Sequence, residues 1–334
     1  LNFKFNRTFF KNCKFLLKNF NSKSKLIIPF LNNSVQNKNI CPNETVSILA
    51  PTLNRHKYLN NQLLELDEMN HYPLEVLITD QSDIELRKAF SIAKINNYKI
   101  KYFDQNVKGQ VVAWNKLIKE SSGKYILFFG DDNANIGENF LNSLLQNMNY
   151  YSADLVAAHC NEVGIDSPFF KDQIRLTDTF PVTLVKKEIV VEVGMMDYNF
   201  NKDIRVDKDL LIKLQKKGAL MIYDYNASYT HLKAPMGGLR HHNKRKITNY
   251  SSKRSIYKFQ IPTRSEMIIL LKYFNKRLRV YYLFQKIISS VLVKNSLIKS
   301  ILKITVTIIL LPYLIFKVRE NYLSAKKIII KNEK

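Results

Sequence analysis

The sequence predicts an α/β protein whose sheet is mixed, mostly parallel and flanked by helices. Short, uniformly apolar segments alternate with segments of helical periodicity, a pattern typical of a parallel sheet covered on both faces. Acidic residues follow two of these apolar segments, at the carboxyl ends where open α/β sheets bind their ligands. The length of 334 residues allows one large or two medium domains.

The regular pattern begins after Pro42 and Asn43, which interrupt a less periodic start. Five segments have strand length and apolar character: 45–50, 74–79, 99–103, 125–129 and 182–185. Three segments have helical periodicity: 59–66, 110–121 and 208–217. We expect Pro51 to end the first strand, and Gly123 and Gly218 to cap the last two helices.

The positive charge is concentrated at the two ends of the chain. The formal net charge is +24; residues 1–43 carry eight basic and no acidic residues, and residues 240–334 carry 22 basic and three acidic ones. The intervening segment is close to neutral. Basic flanks indicate an anionic partner, either lipid or nucleic acid. A bias toward Lys, Asn and Ile would raise the charge without any such partner.

The C-terminal segments favour a lipid partner. Residues 267–273, 281–293 and 301–316 are apolar with interspersed lysines at helical spacing, so nucleic acid is not an expected partner. As a helix, 301–316 would extend about 24 Å, less than the hydrocarbon core of about 30 Å, and it contains Pro312. We therefore expect a helix that lies in or dips into an anionic membrane surface.

The cysteines indicate a reducing compartment. Cys13, Cys41 and Cys160 are far apart and lack C-x-x-C spacing, so neither a disulfide framework nor a zinc site is predicted. Residues 1–43 show no apolar core of a signal peptide. The expected location is the cytoplasmic face of a membrane.

Two adjacent carboxylates, Asp131 and Asp132, follow the apolar segment 125–129. Unpaired charges at the edge of a core are costly, so this pair predicts a bound cation. Oxygen ligands suit Mg²⁺ or Mn²⁺, and a small set of protein ligands leaves room for substrate phosphates. The sequence Asp-Asp-Asn is also common in turns and at helix starts, which is the structural alternative.

Four segments, one of which includes the Asp131-Asp132 pair, combine polar residues and glycines in characteristic positions. They are 46–55, which ends in Pro51-Thr52-Leu53-Asn54-Arg55; 76–83, with Asp80; 106–133, with Asn106, Gly109, Ala113-Trp114-Asn115 and Gly130-Asp131-Asp132; and 184–210, with Val206-Asp207. In order and spacing these segments resemble glycosyltransferase family 2, the inverting nucleotide-sugar transferases with the GT-A fold. The resemblance covers roughly residues 45 to 240.

The resemblance implies a role for each matching residue. The donor-binding residues would be Pro51, Thr52, Asn54, Arg55, Asp80, Asn106, Gly109, Asn115, Asp131 and Arg240. Asp132 would bind Mn²⁺ or Mg²⁺, helped by His231, and Asp207 would be the general base. Inversion in one displacement needs one carboxylate to take the acceptor proton. Asp207 could instead cap the following helix, and an isolated histidine such as His231 is more often structural.

The expected function is transfer of a sugar from a nucleotide-diphosphate sugar to a hydroxyl of a saccharide or lipid-linked acceptor, in cell-envelope or surface polysaccharide or glycolipid synthesis. The expected domains are a basic extension (1–43), a GT-A catalytic domain (44–240) and a basic, apolar, membrane-associated helical region (241–334). Thr79, Trp114, Gly130 and Val206 depart from the family pattern. They leave open a membrane-bound binding protein that keeps the fold without turnover.

Overall fold

The computed structural model describes residues 44–69, 73, 75–164, 173–238, 252, 255–291 and 297–332. The strands are β1 (Val46–Thr52), β2 (Glu75–Asp80), β3 (Lys99–Asp104), β4 (Tyr125–Phe128), β5 (Asn133–Ala134), β6 (Leu155–Glu162), β7 (Ile174–Leu176), β8 (Thr183–Lys186) and β9 (Met221–His231). The predicted N-terminal extension, Cys13, Cys41 and Arg240 lie outside the described residues.

The helices follow the strands in alternation and then dominate the C-terminal part. They are α1 (His56–Asp67), α2 (Ile84–Ala89), α3 (Gln110–Glu120), α4 (Phe140–Tyr150), α5 (Lys187–Glu192), α6 (Val206–Lys217), α7 (Arg264–Tyr273), α8 (Lys276–Val291), α9 (Leu297–Ile309) and α10 (Leu311–Asn332). A 3₁₀ turn lies at Tyr198–Phe200. The left-handed Gly218 (φ 88°) ends α6, as predicted.

One mixed sheet forms the centre of the molecule, which confirms the predicted fold class. Its order is β3-β2-β1-β4-β8-β6-β9-β5, with β7 paired to β9. Parallel pairing joins β3, β2, β1 and β4, and also β6 and β9. The antiparallel β8 lies between β4 and β6. The carboxyl ends of β1, β2 and β4 therefore meet at one edge.

Hydrophobic layers cover both faces of this sheet. Along β1, Val46, Ile48 and Ala50 pack on the side of α1 and α4, while Leu49 packs on the side of α3 and α6. Successive side chains of a strand point to opposite faces, so a strand buried on both faces is apolar at most positions, apart from hydrogen-bonded groups such as Ser47. This explains the uninterrupted apolar segments in the sequence.

The first strand continues through Pro51, contrary to the prediction. Pro51 pairs in register with Thr79 of β2, and β1 runs on to Thr52. On the other side, the ladder with β4 reaches only Leu49 opposite Phe128. Pro51 therefore lies where β1 has lost one neighbour, and a missing N–H is tolerated at such a position.

Gly123 does not cap α3 as predicted. The helix ends at Ser121, whose backbone is extended. A Cβ at Gly123 would lie 2.6 Å from the backbone nitrogen of Ser47, and the Gly123 N–H donates to Ser47 Oγ at 2.8 Å. Glycine is required here because β4 starts directly against β1.

The predicted apolar helix 301–316 is two helices rather than one. The segments Ile298–Ile309 and Leu311–Ile330 meet at a bend of 67°. Pro312 explains the break, because it has no N–H for the helical ladder and its ring clashes with the carbonyl four residues earlier. It is tolerated in the first turn of α10.

The C-terminal part is not separate from the α/β core. In α7, Met267, Ile268 and Leu270 are buried within the hydrophobic layer that also holds α3 and α6, and Ala325 of α10 belongs to the same layer. The region predicted to begin at residue 241 therefore contributes a core helix.

We expect Gly123→Ala to lower the free energy of unfolding by about 2 kcal/mol, because the added methyl group overlaps the Ser47 backbone. Gly137→Ala is the matched control, since a Cβ there meets nothing within 4 Å. Urea denaturation of both variants measures the difference. Equal unfolding midpoints of the two variants would show that the β1–β4 junction accommodates the added methyl group without loss of stability.

We expect Glu75→Gln to destabilise the protein by about 2 kcal/mol at pH 7, because it removes a buried charge with several donors. Burial alone raises the pKa of Glu75, but hydrogen bonds from Lys101, Ser122 and Ser47 outweigh it and hold the pKa at about 2.

A folded pKa below the unfolded value of 4.5 means that this stabilisation is present above pH 4.5 and is lost as the pH falls toward 2. The difference in unfolding midpoint between wild type and Glu75→Gln should therefore shrink over that interval. The exposed Glu192, paired with Lys217, supplies the control Glu192→Gln. A difference that is constant with pH would contradict the ionic role of Glu75.

Candidate active site

A cation-neutralised carboxylate pair lies at the sheet edge after β4. Arg55 Nη1 donates to Asp131 Oδ1 at 2.8 Å and lies 3.1 Å from Asp132 Oδ2. Thr52 Oγ1 donates to Asp131 Oδ2 at 2.8 Å. Burial raises the pKa of Asp131 to about 6 in spite of the Arg55 charge. The structure thus brings together four of the predicted residues: Thr52, Arg55, Asp131 and Asp132.

The paired glycines at 237 and 238 make room for Arg55. A Cβ at Gly237 would lie 2.1 Å from the carbonyl oxygen of Leu53, and one at Gly238 would lie 3.0 Å from Arg55 Nη2. Both have positive φ, and Arg55 Nε donates to the carbonyl of Met236 at 2.8 Å. This loop therefore closes on Arg55 of the same chain.

Asp132 and His231 lie together, as the resemblance implied. His231 Nε2 is 3.4 Å from Asp132 Oδ2, and the N–H of Ala234 donates to the same oxygen at 3.2 Å. Burial raises the pKa of Asp132, but His231, Arg55 and Ala234 outweigh it and keep the pKa below its usual value. A carboxylate oxygen and an imidazole nitrogen side by side are a donor set that fits Mn²⁺.

Gly130, which departs from the family pattern, has a backbone that favours glycine. Its φ is +81°, and a Cβ there would have only Asn133 Nδ2 nearby, at 3.8 Å. The constraint is therefore conformational and not steric, because L-residues with side chains rarely adopt this φ.

Asp80 is completely buried and fully hydrogen-bonded inside the protein. Its Oδ2 accepts from Tyr102 at 2.5 Å and lies 2.6 Å from His56 Nε2, and its Oδ1 accepts from the Ser82 N–H at 2.8 Å. Burial raises the pKa of Asp80, but these hydrogen bonds have the larger effect and leave the pKa below its usual value. The side chain nearest the surface here is His56, which stacks on Phe90 at 4.1 Å.

Sequence reasoning missed His56, although it directly follows the predicted residues Asn54 and Arg55. Asn54 itself is left-handed (φ 57°), and its N–H donates to Ser82 Oγ at 2.7 Å. Its Oδ1 is buried and has no hydrogen-bond partner within the described residues. Such an orphan acceptor fits contact with a bound ligand.

Three predicted donor-binding residues do not reach this cluster. Asn106 is exposed and accepts from Arg87 Nη2 at 2.7 Å. Asn115 is buried and bonds the backbone of Met196 through both side-chain atoms, at 2.8 and 3.0 Å. A Cβ on Gly109 would lie 2.2 Å from Asn201 Oδ1. The structure gives all three a role in holding loops.

A cavity of about 780 Å³ runs from Asp132 and His231 to Asp207. Asp207 lies in the first turn of α6; the N-cap position is Arg205, so the capping alternative is not what the structure shows. Trp114 also lines this cavity, with its ring 5.1 Å from that of Phe128. Trp114, which departs from the family pattern, therefore gives this wall an aromatic side chain.

The start of α6 is held by the C-terminal helices. Arg205, in a left-handed conformation (φ 78°), donates to Glu266 Oε1 at 2.8 Å. Glu266 also accepts from buried Lys286 and completes a capping box with Thr263. Asp203, two residues before Arg205, accepts from Arg264 at 2.8 Å. Sequence reasoning missed this network, because the pairs Arg205–Glu266 and Asp203–Arg264 that join it to α6 are each 61 residues apart.

Together, the mixed sheet, the acidic pair at its edge and the cavity beside them define a GT-A-type fold with a candidate site at the carboxyl ends of its strands. Residues 47–210 match the family described as "Glycosyl transferase family 2". The chain therefore carries a glycosyltransferase family 2 domain, which confirms the resemblance. No curated protein matches the chain.

Solved structures share the fold. Mannosyltransferase PcManGT from Pyrobaculum calidifontis, in complex with GDP-Man and Mn²⁺, is 11% identical with a TM-score of 0.52, covering 97% of this chain and 95% of that one. S. aureus TarS 1-349, in complex with UDP-GlcNAc, is 16% identical with a TM-score of 0.51, covering 86% and 92%. Against S. aureus TarS (15% identity, TM-score 0.50) the match covers 85% of this chain but 55% of that one.

We expect Glu266→Gln to lower the free energy of unfolding by about 3 kcal/mol, because it leaves Arg205 and Lys286 without their common counter-charge in a buried setting. Glu320→Gln, at an exposed pair with Lys317, is the control and should change it by less than about 0.5 kcal/mol. Denaturant unfolding compares the two. Similar small losses would mean that the network does not stabilise the start of α6.

Proposed function

We propose that this protein is an inverting glycosyltransferase that transfers a sugar from a nucleotide-diphosphate sugar to a hydroxyl group. One observation carries the proposal: a single cavity has Asp132 and His231 at one end and Asp207 at another part of its wall. This arrangement places a proposed cation-binding pair and a further carboxylate on the lining of the same open cavity. The GDP-Man and UDP-GlcNAc in the related structures support a donor of this class.

Asp132 and His231 would bind Mn²⁺ or Mg²⁺ together with the donor diphosphate. When bound, the ion supplies charge stabilisation for the leaving diphosphate. Arg55 spans Asp131 and Asp132 in the structure and can bind phosphate oxygens once the carboxylate is shared with a cation. His56 and Asn54 extend this surface toward the nucleoside.

Asp207 acts as the general base in this proposal. Its carboxylate accepts the proton of the acceptor hydroxyl while that oxygen attacks the anomeric carbon, on the side opposite the leaving diphosphate. The C–O bond to the acceptor forms as the bond to the diphosphate breaks. A single displacement of this kind inverts the configuration of the anomeric carbon.

The wall of the cavity supports a saccharide acceptor. Three aromatic rings adjoin one another on this wall. The ring centroids of Trp114 and Phe128 are 5.1 Å apart, and those of Phe128 and Phe180 are 5.0 Å apart. The apolar faces of these rings can pack against the C–H faces of a sugar. The hydroxyl groups of the sugar then remain free for polar contacts at the rim of the cavity. Arg175 and Glu162 supply such polar groups on the same wall.

We expect Asp207→Asn to bind the donor with Mn²⁺ but to lose transfer by about 100-fold or more, because the amide cannot accept the proton. Asp132→Asn should lose Mn²⁺-dependent donor binding instead. Thermal shift and nucleotide release with a panel of UDP-, GDP- and dTDP-sugars measure both effects, with Glu192→Gln as the control.

A donor that stabilises the wild-type protein but is never turned over, with or without saccharide acceptors, would replace this proposal with the binding-protein alternative. Equal loss of donor binding in both variants would instead remove the separate role of Asp207.

We also propose that the protein works at the anionic cytoplasmic face of a membrane. The outer apolar face of α9 and α10 supports this. It consists of exposed side chains: Ile301, Leu302, Ile304, Ile308, Ile309, Leu311, Tyr313, Ile315 and Phe316. Ile309 is 70% exposed and Phe316 is 61% exposed, whereas Lys303 is buried and donates to the Ser252 carbonyl at 2.6 Å.

Among the described helices, none is by itself long and apolar enough to cross a membrane. The bent pair Ile298–Ile309 and Leu311–Ile330 passes together by length and composition. The net charge of +19 over residues 240–334 complements anionic lipids, with each nearby Lys or Arg contributing about 1 kcal/mol. A lipid-linked or membrane-proximal saccharide acceptor, of the kind used in cell-envelope or surface polysaccharide synthesis, follows from this location.

We expect Ile308→Asp/Ile309→Asp to weaken binding to phosphatidylglycerol vesicles by about tenfold or more, because two large apolar side chains leave the lipid. Ile84→Asp, at a 57% exposed position on α2, is the control. Vesicle co-sedimentation measures the effect. Undiminished binding of the double variant would show that another surface meets the lipid.

A further inference from the structure

We propose that Cys160, Glu162 and His231 form an additional cation site that takes a thiophilic divalent ion of the Zn²⁺ class. Their ligand atoms, the Cys160 thiol sulfur, a Glu162 carboxylate oxygen and a His231 ring nitrogen, all lie within 4.8 Å of one another. This proposal goes beyond the donor-binding cation at Asp132 and His231. It shares only His231 with that site.

The strand register creates the cluster. Cys160 and Glu162 are two residues apart on β6, so their side chains lie on the same face of the sheet. The parallel neighbour β9 places His231 opposite Glu162. All three residues line the cavity that holds Asp132 and Asp207. Two strands of the central sheet thus present three donors of different chemistry to one cavity.

An ion would replace contacts that these donors now make, among them the hydrogen bond between the Cys160 thiol and Tyr229. All three residues are half-buried. The Glu162 carboxylate pairs with Lys233 at 2.9 Å, a contact of two partly exposed groups that an ion can replace at small cost. Binding converts the Cys160 thiol to a thiolate, with the proton passing to solvent. Three protein ligands leave one position of a tetrahedral ion open toward the cavity.

The donor set separates this site from the one at Asp132. Thiolate and imidazole ligands select Zn²⁺, whereas carboxylate oxygens suit Mg²⁺ and Mn²⁺. An ion on Cys160, Glu162 and His231 would use the imidazole that now lies 3.4 Å from Asp132 Oδ2. The two cations therefore compete for His231. This competition, unlike the site itself, rests on the proposed function.

The test uses Co²⁺ as a spectroscopic probe for Zn²⁺, with the full chain and no donor present. Titration of the wild-type protein with Co²⁺ should give a near-ultraviolet thiolate-to-metal band and visible bands of a four-coordinate ion, and one equivalent of Zn²⁺ should remove them. Cys160→Ser should lack the near-ultraviolet band, and its Zn²⁺ affinity should fall by about 10- to 100-fold or more.

The chain has only two other cysteines, so the double variant Cys13→Ser/Cys41→Ser is a matched control that should keep the full Co²⁺ spectrum. Loss of the band in this control but not in Cys160→Ser would overturn the proposal, as would a wild-type protein with no thiolate band. His231→Gln should also lose the visible four-coordinate bands.

These readouts separate the two proposals. The Co²⁺ spectrum reports ligation without donor or acceptor, so a protein that fails to transfer sugar can still show the site. Conversely, Mn²⁺-dependent donor binding by a protein without the thiolate band would leave the proposed function intact and remove the thiophilic site. If the protein shows the thiolate band but added Zn²⁺ does not weaken Mn²⁺-dependent donor binding, the two cations do not share His231.

Discussion

The contact of Arg55 with Asp131 and Asp132 is the constraint on which the site geometry depends. Two adjacent carboxylates at the end of a buried strand cannot remain uncompensated at low exposure. Arg55 supplies the counter-charge, and it fits only because residues 237 and 238 have no side chain. The loop after β9 is thereby fixed over the edge of the sheet. His231, the last residue of β9, is held beside Asp132 by the pairing of β9 with Asn133 of β5, so the sheet and the neutralised acidic pair together position the proposed cation ligands.

The first half of the α/β core could be predicted from the sequence because short, largely apolar segments mark β1, β2, β4 and β8, whereas β6 and β9, which include polar residues such as His159 and Asp224, were missed. The same signal located Asp80, Asp131 and Asp132 at one edge. It could not show which of these carboxylates faces the cavity. Asp80 and Asp132 both follow apolar strands, yet only the structure shows that Tyr102 and His56 saturate Asp80 internally. That distinction depends on side chains from β3 and α1, which no local spacing encodes.

Asn115 and Cys160 show two further limits of local reasoning. The motif around Asn115 marks its position in the chain but not the face of α3 on which it lies, and that face is the buried one. Cys160 is far in sequence from the other cysteines and has no C-x-x-C partner, so spacing predicted no zinc site. The β6–β9 register nevertheless places it near His231, 71 residues further along the chain. A parallel pairing with a long connection is invisible to motif spacing.

The C-terminal helices carry both buried and exposed apolar side chains, a difference that their composition could not reveal. Met267 and Ile309 are both apolar residues in the sequence, but Met267 is buried in the hydrophobic layer that also holds α6, whereas Ile309 is exposed. A left-handed conformation at a residue other than glycine, as at Arg205, costs about 1 kcal/mol or more and persists only where surrounding contacts impose it. Glu266 of α7 makes that contact. The helices that carry the outer apolar face are therefore joined, through α7, to the turn that presents Asp207. A displacement of these helices that broke the Arg205–Glu266 pair would release this turn, so the orientation of the carboxylate and the packing of the C-terminal region form one mechanical unit.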